Sequence, residues 1–283
     1  MSVRDEIAAA YALLRQPAQT TAPSALGAMR ASRVRVSVDA VLVELLGGVA
    51  EAFPATARVT SAIRGATWAW VEDYLRSAEL AARPSSTRFA TLGQLAVTFP
   101  AFVQRAIVPG AGPYGALLDD ALACETAINQ LRAPDPILAA ILHRLRGPFA
   151  DPGRLLSPAA LAEATAVGLA AHARVGTYGR DVASLIASAR AHLAGLLPPG
   201  EWVASLDTHP GLSARRGTFH AVHVLRASGD VVTLQIGEAA ASALSQGAVD
   251  PRASGCGEDL VRVAAAGGLR AHASSGSSDL ATT

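Results

Sequence analysis

The stretch FPAFVQRAIVPGAGPYGALLDDALACETAINQL, residues 99–131, decides how the rest of the chain is read. Its second half, Leu117 to Leu131, carries Leu118, Ala121, Leu122, Glu125 and Ile128 at helical spacing, so it is expected to be one helix with an apolar face. Asp119 and Asp120 fall in the expected first turn, where negative charge suits the helix dipole. Pro109, Gly110, Gly112 and Pro113 stop any helix upstream. Before them, Pro100 is expected to break Phe89 to Val108 into two short helical pieces. Glu125 falls on or beside the apolar face. A charge there ordinarily sits at a rim or pairs with an arginine; its other role would be a fixed polar contact to a partner.

Upstream, Ser2 to Gln16 reads as a helix, residues 17–31 as a Pro/Thr/Ala/Ser linker, and the segment from Ser32 or Ser37 to Ala52 as a second helix ended by Phe53-Pro54. Ala55 to Ile63 reads as a short helix. Thr67 to Ala82 reads as a longer one, capped by Thr67, with Trp70, Val71, Tyr74 and Leu75 inward; such an aromatic row is core rather than ligand site. Downstream, Ile137 to Arg146, Pro158 to Arg174 and Tyr178 to Leu197 are expected helices, with a proline-rich loop from Gly147 to Ser157. At Pro198-Pro199-Gly200 the period changes. Thr218 to Arg226 and Asp230 to Gly237 are rich in strand formers and joined by Ser228-Gly229-Asp230, a hairpin. Glu238 to Ser245 and Glu258 to Ala266 read as short helices, and Ser274 to Thr283 as a polar, disordered tail.

The expected fold class is therefore mainly α: an N-terminal helical domain, then a small α+β winged-helix-like module with a hairpin. The expected divisions are a helical domain over residues 1–132, connecting helices over 133–197, the hairpin module over 198–273 and the tail over 274–283. Strands are expected only after residue 198.

With 283 residues the chain has room for a large core, and its net charge of +1 supplies no general field for nucleic acid or acidic lipid. Every basic residue is arginine, which removes Schiff-base and phosphate-loop lysine chemistry. Cys124 and Cys256 lie far apart with no metal-ligand spacing, consistent with a reduced, cytoplasmic setting. No signal-peptide core and no apolar run long enough for a membrane span is found.

No catalytic set emerges. His220 and His223 are three apart on an expected strand and so point to opposite faces; His172 and His192 lack a carboxylate motif; Gly110-Ala111-Gly112 lacks the context of a phosphate loop. No catalytic residue, metal or cofactor is expected. Arg215-Arg216 before the hairpin is a small basic point that reads as solvated surface or as a contact for acidic peptide side chains or phosphate.

Phe99-Pro100-x-Phe102, Pro113-Tyr114 and Leu118-x-Asp120-x-x-x-x-Glu125 together resemble the N-terminal domain of the HvfC/BufC-type (MbnC-like) proteins, a family often described as DNA-binding. Upstream, Phe53-Pro54, Gly65 before Trp68, Trp70 and Tyr74, Pro84-Ser85-Ser86 and Leu92-Gly93 follow in the same order, so the resemblance covers residues 33–131. At Ser37-Val38-Asp39-Ala40 the chain departs from the family's Tyr-Arg-Asn-Asn. The resemblance implies a non-catalytic partner subunit. It would form a heterodimer with an iron-dependent, multinuclear non-haem oxidase and help present a ribosomal precursor peptide in natural-product or metal-response biosynthesis. Pro113, Tyr114, Asp120 and Glu125 would belong to the partner-binding face. The free edge of the first hairpin strand, Phe219 to Leu225 with Phe219, Val222 and Val224, would add the peptide leader as a strand, with Arg215 and Arg216 holding its acidic residues. The alternative is a DNA-binding transcriptional regulator. It needs a basic recognition helix, and Glu258 to Ala266 offers Glu258, Asp259 and the single Arg262.

Overall fold

Pro54 sets where the helical part of the chain turns. The computed structural model describes residues 45–82, 92–132, 155–194, 212, 214–226, 228–247, 249–252 and 255–271. Residues 45–52 are helical (α1). Phe53 leaves helical geometry because the proline ring crowds the residue before it. Pro54 then opens α2, Pro54–Arg64, where a missing N–H costs nothing. α2 stops at Gly65, whose φ of 71° is a left-handed conformation that glycine adopts without strain.

α3 (Thr67–Leu75), α4 (Ala78–Ala81), α5 (Leu92–Ala106) and α6 (Gly115–Arg132) follow, with single 3-10 turns at Val108–Gly110 and Gly112–Tyr114 before α6. Phe99 of α5 is the hub of their core. Its ring centroid lies 5.2 Å from those of Phe53 and Tyr74, 5.6 Å from Trp70 and 6.4 Å from Phe102. All five rings are buried. The two polar handles are satisfied: Trp70 donates to Ser61 Oγ at 2.8 Å, and the Tyr74 hydroxyl bonds Thr98 Oγ1 at 2.6 Å.

Four local expectations are corrected. Pro100 lies inside one continuous α5 rather than dividing two pieces. The buried rings of Phe99 and Phe102 flank it, and their packing outweighs the one helical hydrogen bond that proline forfeits. Thr67 is the first helical residue rather than the cap; its hydroxyl is turned to Ser61 at 2.8 Å. α6 starts at Gly115, which leaves Asp119 and Asp120 in the second turn, where the helix-end field has weakened. The expected long helix from Thr67 to Ala82 is interrupted at Ser77, whose Oγ accepts the Leu80 N–H at 3.2 Å and so caps α4. Ser77→Ala is expected to lower stability by ~1 kcal/mol in urea unfolding, the usual cost of such a cap. No change in the midpoint would show the cap to be idle.

The chain forms two compact units that interleave in sequence: a helical unit from residues 1–129 and 184–215, and a mixed unit from 130–183 and 216–283. The mixed unit therefore does not begin at residue 198. It contains α7 (Pro158–Leu161), β1 (Val167–Leu169), β2 (Ala173–Arg180), β3 (Arg216–Leu225), β4 (Val231–Ile236), α9 (Glu238–Ser245), α10 (Gly257–Ala265) and β5 (Leu269–Ala271); α8 (Val182–Ala194) follows β2. The sheet order is β2-β3-β4, all antiparallel, and β1 pairs with β5 separately.

The two helices expected over Pro158–Arg174 and Tyr178–Leu197 are thus overturned: helix remains only at α7 and α8, with two strands between them. The reason is local and tertiary together. Gly168, Gly176 and Gly179 weaken a helix, while Val175, Thr177 and Tyr178 are strand formers that find a ready ladder in β3. The hairpin and the two short helices after it form close to their expected limits. Ala173, Val175, Val222, Val224, Leu234 and Ile236 share one sheet face and pack with α9 and α10 into the core of this unit. The expected first helix, the linker at 17–31, the helix at 137–146, the loop at 147–154, the break at Pro198-Pro199-Gly200 and the tail lie outside the described residues. Among the described residues no helix is long and apolar enough to cross a membrane.

Candidate functional site

The direction of each backbone group in the three-stranded sheet follows from its ends. Leu225 N–H donates to His172 O, toward the β2 side, and Arg226 N–H donates to Asp230 O, toward β4. In an extended strand these directions alternate. The N–H groups of Val222 and Val224 therefore point into the β4 ladder, where those residues face Leu234 and Val232. Those of Phe219, Ala221 and His223 point to β2, where they face Tyr178, Gly176 and Arg174.

This corrects the expected free edge. β3 is the middle strand, paired on both sides, and the side chains of Phe219, Val222 and Val224 are buried. A peptide cannot add there. Arg215 and Arg216 are exposed at the start of β3, with Arg216 opposite Arg180.

The outer strands of the sheet are instead β2 and β4. Gln235 C=O points outward and accepts Arg262 Nη1 of α10 at 3.0 Å. By alternation, the main-chain groups of Val231 and Thr233 point outward with it. Arg262 is steadied by Asp259 Oδ1 at 3.4 Å, and Asp259 Oδ2 accepts the Gly237 N–H at 2.7 Å. Among the described residues, one helix thus caps the far end of the β4 rim and leaves its middle.

Across the other sheet face runs a buried polar relay. Tyr178 Oη lies 2.8 Å from His223 Nε2, and His223 Nδ1 lies 2.9 Å from Thr233 Oγ1. The relay joins all three strands. Burial pushes the imidazole down to about 4, so it is neutral near pH 7 and offers one ring N–H and one acceptor. His220 lies on the opposite face and meets Thr177 Oγ1 at 2.9 Å. The relay fixes strand register and orients Tyr178; Tyr178 and His223 are both buried, and Thr233 is half-buried.

In the helical unit, Pro113 is exposed and Tyr114 and Asp120 are half-buried, Pro113 and Tyr114 in the turn just before α6. Glu125 is 0% exposed. It does not lie at a rim, which corrects that half of the ordinary expectation; the charge of Arg190 does act on it, and its oxygens are taken up inside the unit rather than turned to a surface. Its Oε1 accepts the Ala55 N–H at 2.8 Å and its Oε2 the Thr56 N–H at 2.9 Å. One turn later Asn129 Nδ2 donates to Ala52 O at 2.6 Å. This i, i+4 pair on α6 satisfies the last carbonyl of α1 and the first amides of α2, groups that a helix end cannot satisfy for itself. Burial raises the Glu125 carboxyl to about 7, against the pull of Thr56, Ala55 and the charge of Arg190.

Sequence reasoning missed the relay, because Tyr178 was read as helical, and missed Asn129, although its place one turn after Glu125 on the apolar face was a signal. Among the described residues no group of three or more His, Cys, Asp or Glu is placed to hold a metal ion. No family model, curated protein or solved structure matches the chain.

Proposed function

We propose that the chain is a non-catalytic partner subunit of an iron-dependent, peptide-modifying oxidase in the cytoplasm, as the HvfC/BufC-type resemblance implies. One observation carries the reading. Phe53, Pro54, Trp70, Tyr74, Phe99, Phe102, Leu118 and Glu125, all quoted for that resemblance, are buried in the helical unit, the rings in one cluster and Glu125 as the buried cap of α2. The helical unit would dock the oxidase through the surface turn at Pro113 and Tyr114. Tyrosine is favoured at interfaces because it presents a rigid ring with a polar tip. The mixed unit, winged-helix-like in carrying a hairpin followed by two short helices, would hold the precursor leader. The leader would add as a strand along β4, where Val231 and Thr233 turn their main-chain groups outward, rather than along β3.

The DNA-binding alternative is carried less well. Arg262, the one cation of α10, is engaged by Asp259 and Gln235, whereas a duplex reader needs its basic side chains for phosphates.

Co-expression with a multinuclear non-haem iron oxidase from the same gene cluster is expected to give one heterodimer peak on size exclusion. Gln235→Pro removes one outward N–H without touching the β3 ladder. It is expected to weaken binding of a labelled leader at least tenfold while the heterodimer persists. Separate peaks at micromolar concentration would refute the docking, and an unchanged leader affinity would refute the β4 rim.

A further inference from the structure

Arg58 is the anomaly of the helical unit. It sits in the middle of α2, a helix whose residues from Pro54 to Ser61 are all buried, and only 2% of it is exposed. Its Nε and Nη1 are enclosed and meet no hydrogen-bond acceptor; Nη2 is not among the enclosed nitrogens. Burial shifts this guanidinium in the downward direction, and among the described residues no carboxylate offsets it. The other buried ion of the unit, Glu125, is already committed to the Ala55 and Thr56 amides and to the charge of Arg190. A guanidinium is never conveniently deprotonated, and an enclosed cation without a counter-ion is strongly disfavoured. A protein keeps such a group when an anion completes it.

We infer that Arg58 is the base of an oxyanion-binding site, reached from the Nη2 side, for a small carboxylate or phosphate group. The planar fork of arginine suits either oxyanion, and both are anionic near pH 7. Chloride, spherical and monodentate, fits the fork poorly. The inference rests on Arg58 alone and does not depend on the partner-subunit reading.

The test is thermal unfolding of the full chain in chloride, acetate and inorganic phosphate, at equal pH, equal ionic strength and millimolar anion. Wild type is expected to gain several degrees (about 2–4 °C for each tenfold-scale gain in folding equilibrium) in acetate or phosphate over chloride. Response to one anion and not the other names the ligand class. Arg58→Met keeps the length of the side chain and removes the charge. It is expected to melt at or above wild type in chloride and to show no preference among the anions, which also controls for general salt effects. Should Arg58→Met fail to fold, the Arg58 Nε–H resonance, assigned by its loss in Arg58→Lys, is expected to shift on phosphate or acetate titration. Equal anion responses in wild type and Arg58→Met, no response in wild type, or an unmoved resonance would each overturn the site.

Discussion

Glu125→Ala lowers the stability of the helical unit by about 3–5 kcal/mol at pH 5, and by less at pH 8. The acidic-pH loss has two sources. The Ala55 and Thr56 amides become buried donors without an acceptor, each worth roughly 1–3 kcal/mol, and a cavity opens against α2. The pH dependence follows from the carboxyl, held near 7 in the folded chain against an ordinary value of 4.5. A folded-state value raised in this way gives a contribution fully present below 4.5 and lost as pH climbs through 7, on the order of 3 kcal/mol over the window. Wild type therefore loses stability relative to Glu125→Ala between pH 4.5 and 7. Glu125→Gln keeps the volume and one acceptor but turns an NH2 group against the second amide; it is expected to lie between the two and to lack the slope. Urea unfolding followed by tryptophan fluorescence reads this, since Trp70 is buried in the same unit. A wild-type-minus-mutant difference that is flat from pH 4.5 to 7 would mean that the carboxyl does not titrate there.

The legible parts of the chain are those whose signal is local. The stripe of α6, the proline at the start of α2 and the β3–β4 hairpin each repeat or stop within a few residues, and each forms near its expected limits; the aromatic row of α3 is helical as expected, although its helix stops early at Leu75. β2 was not legible. Its eight residues, ARVGTYGR, lie among alanine-rich segments, and what makes them a strand is β3, with Thr177 facing His220 43 residues away. Once β2 is a strand, β3 becomes the middle of a sheet and the expected free edge disappears. The same distance hid Glu125. A lone acid on an apolar stripe signals a buried partner, but the partner is a pair of backbone amides 70 and 69 residues upstream, which no side-chain pattern announces. Pro100 failed differently: the local rule against proline inside a helix holds, and the packing of Phe99 and Phe102 outweighs it.

Gly176→Ala is expected to cost ~3 kcal/mol in the mixed unit, a large penalty for one methyl group. A Cβ at this position of β2 would lie 2.6 Å from Cζ and 3.0 Å from Cε2 of Tyr178, and nearer still to its hydroxyl oxygen. Tyr178 stands two residues on, on the same face, and its ring lies back over the glycine to reach His223. Gly176 is needed for space rather than for an unusual φ, since it is not among the glycines of positive φ. With a methyl group there, the ring must leave its rotamer and the 2.8 Å bond to His223 Nε2 is lost deep in the sheet. The two terms are separable by a double-mutant cycle. In a Tyr178→Ala background the ring is gone, so adding Gly176→Ala should be neutral or mildly stabilising, as alanine is the better strand residue. The expected coupling is about 2–3 kcal/mol. Hydrogen exchange of the β3 amides, which lie between both partners of the relay, is the local readout: protection should fall in Gly176→Ala and be no lower in the double variant than in Tyr178→Ala. Additive costs in the cycle would mean that Tyr178 does not lie over Gly176, and the relay across the three strands would have to be redrawn.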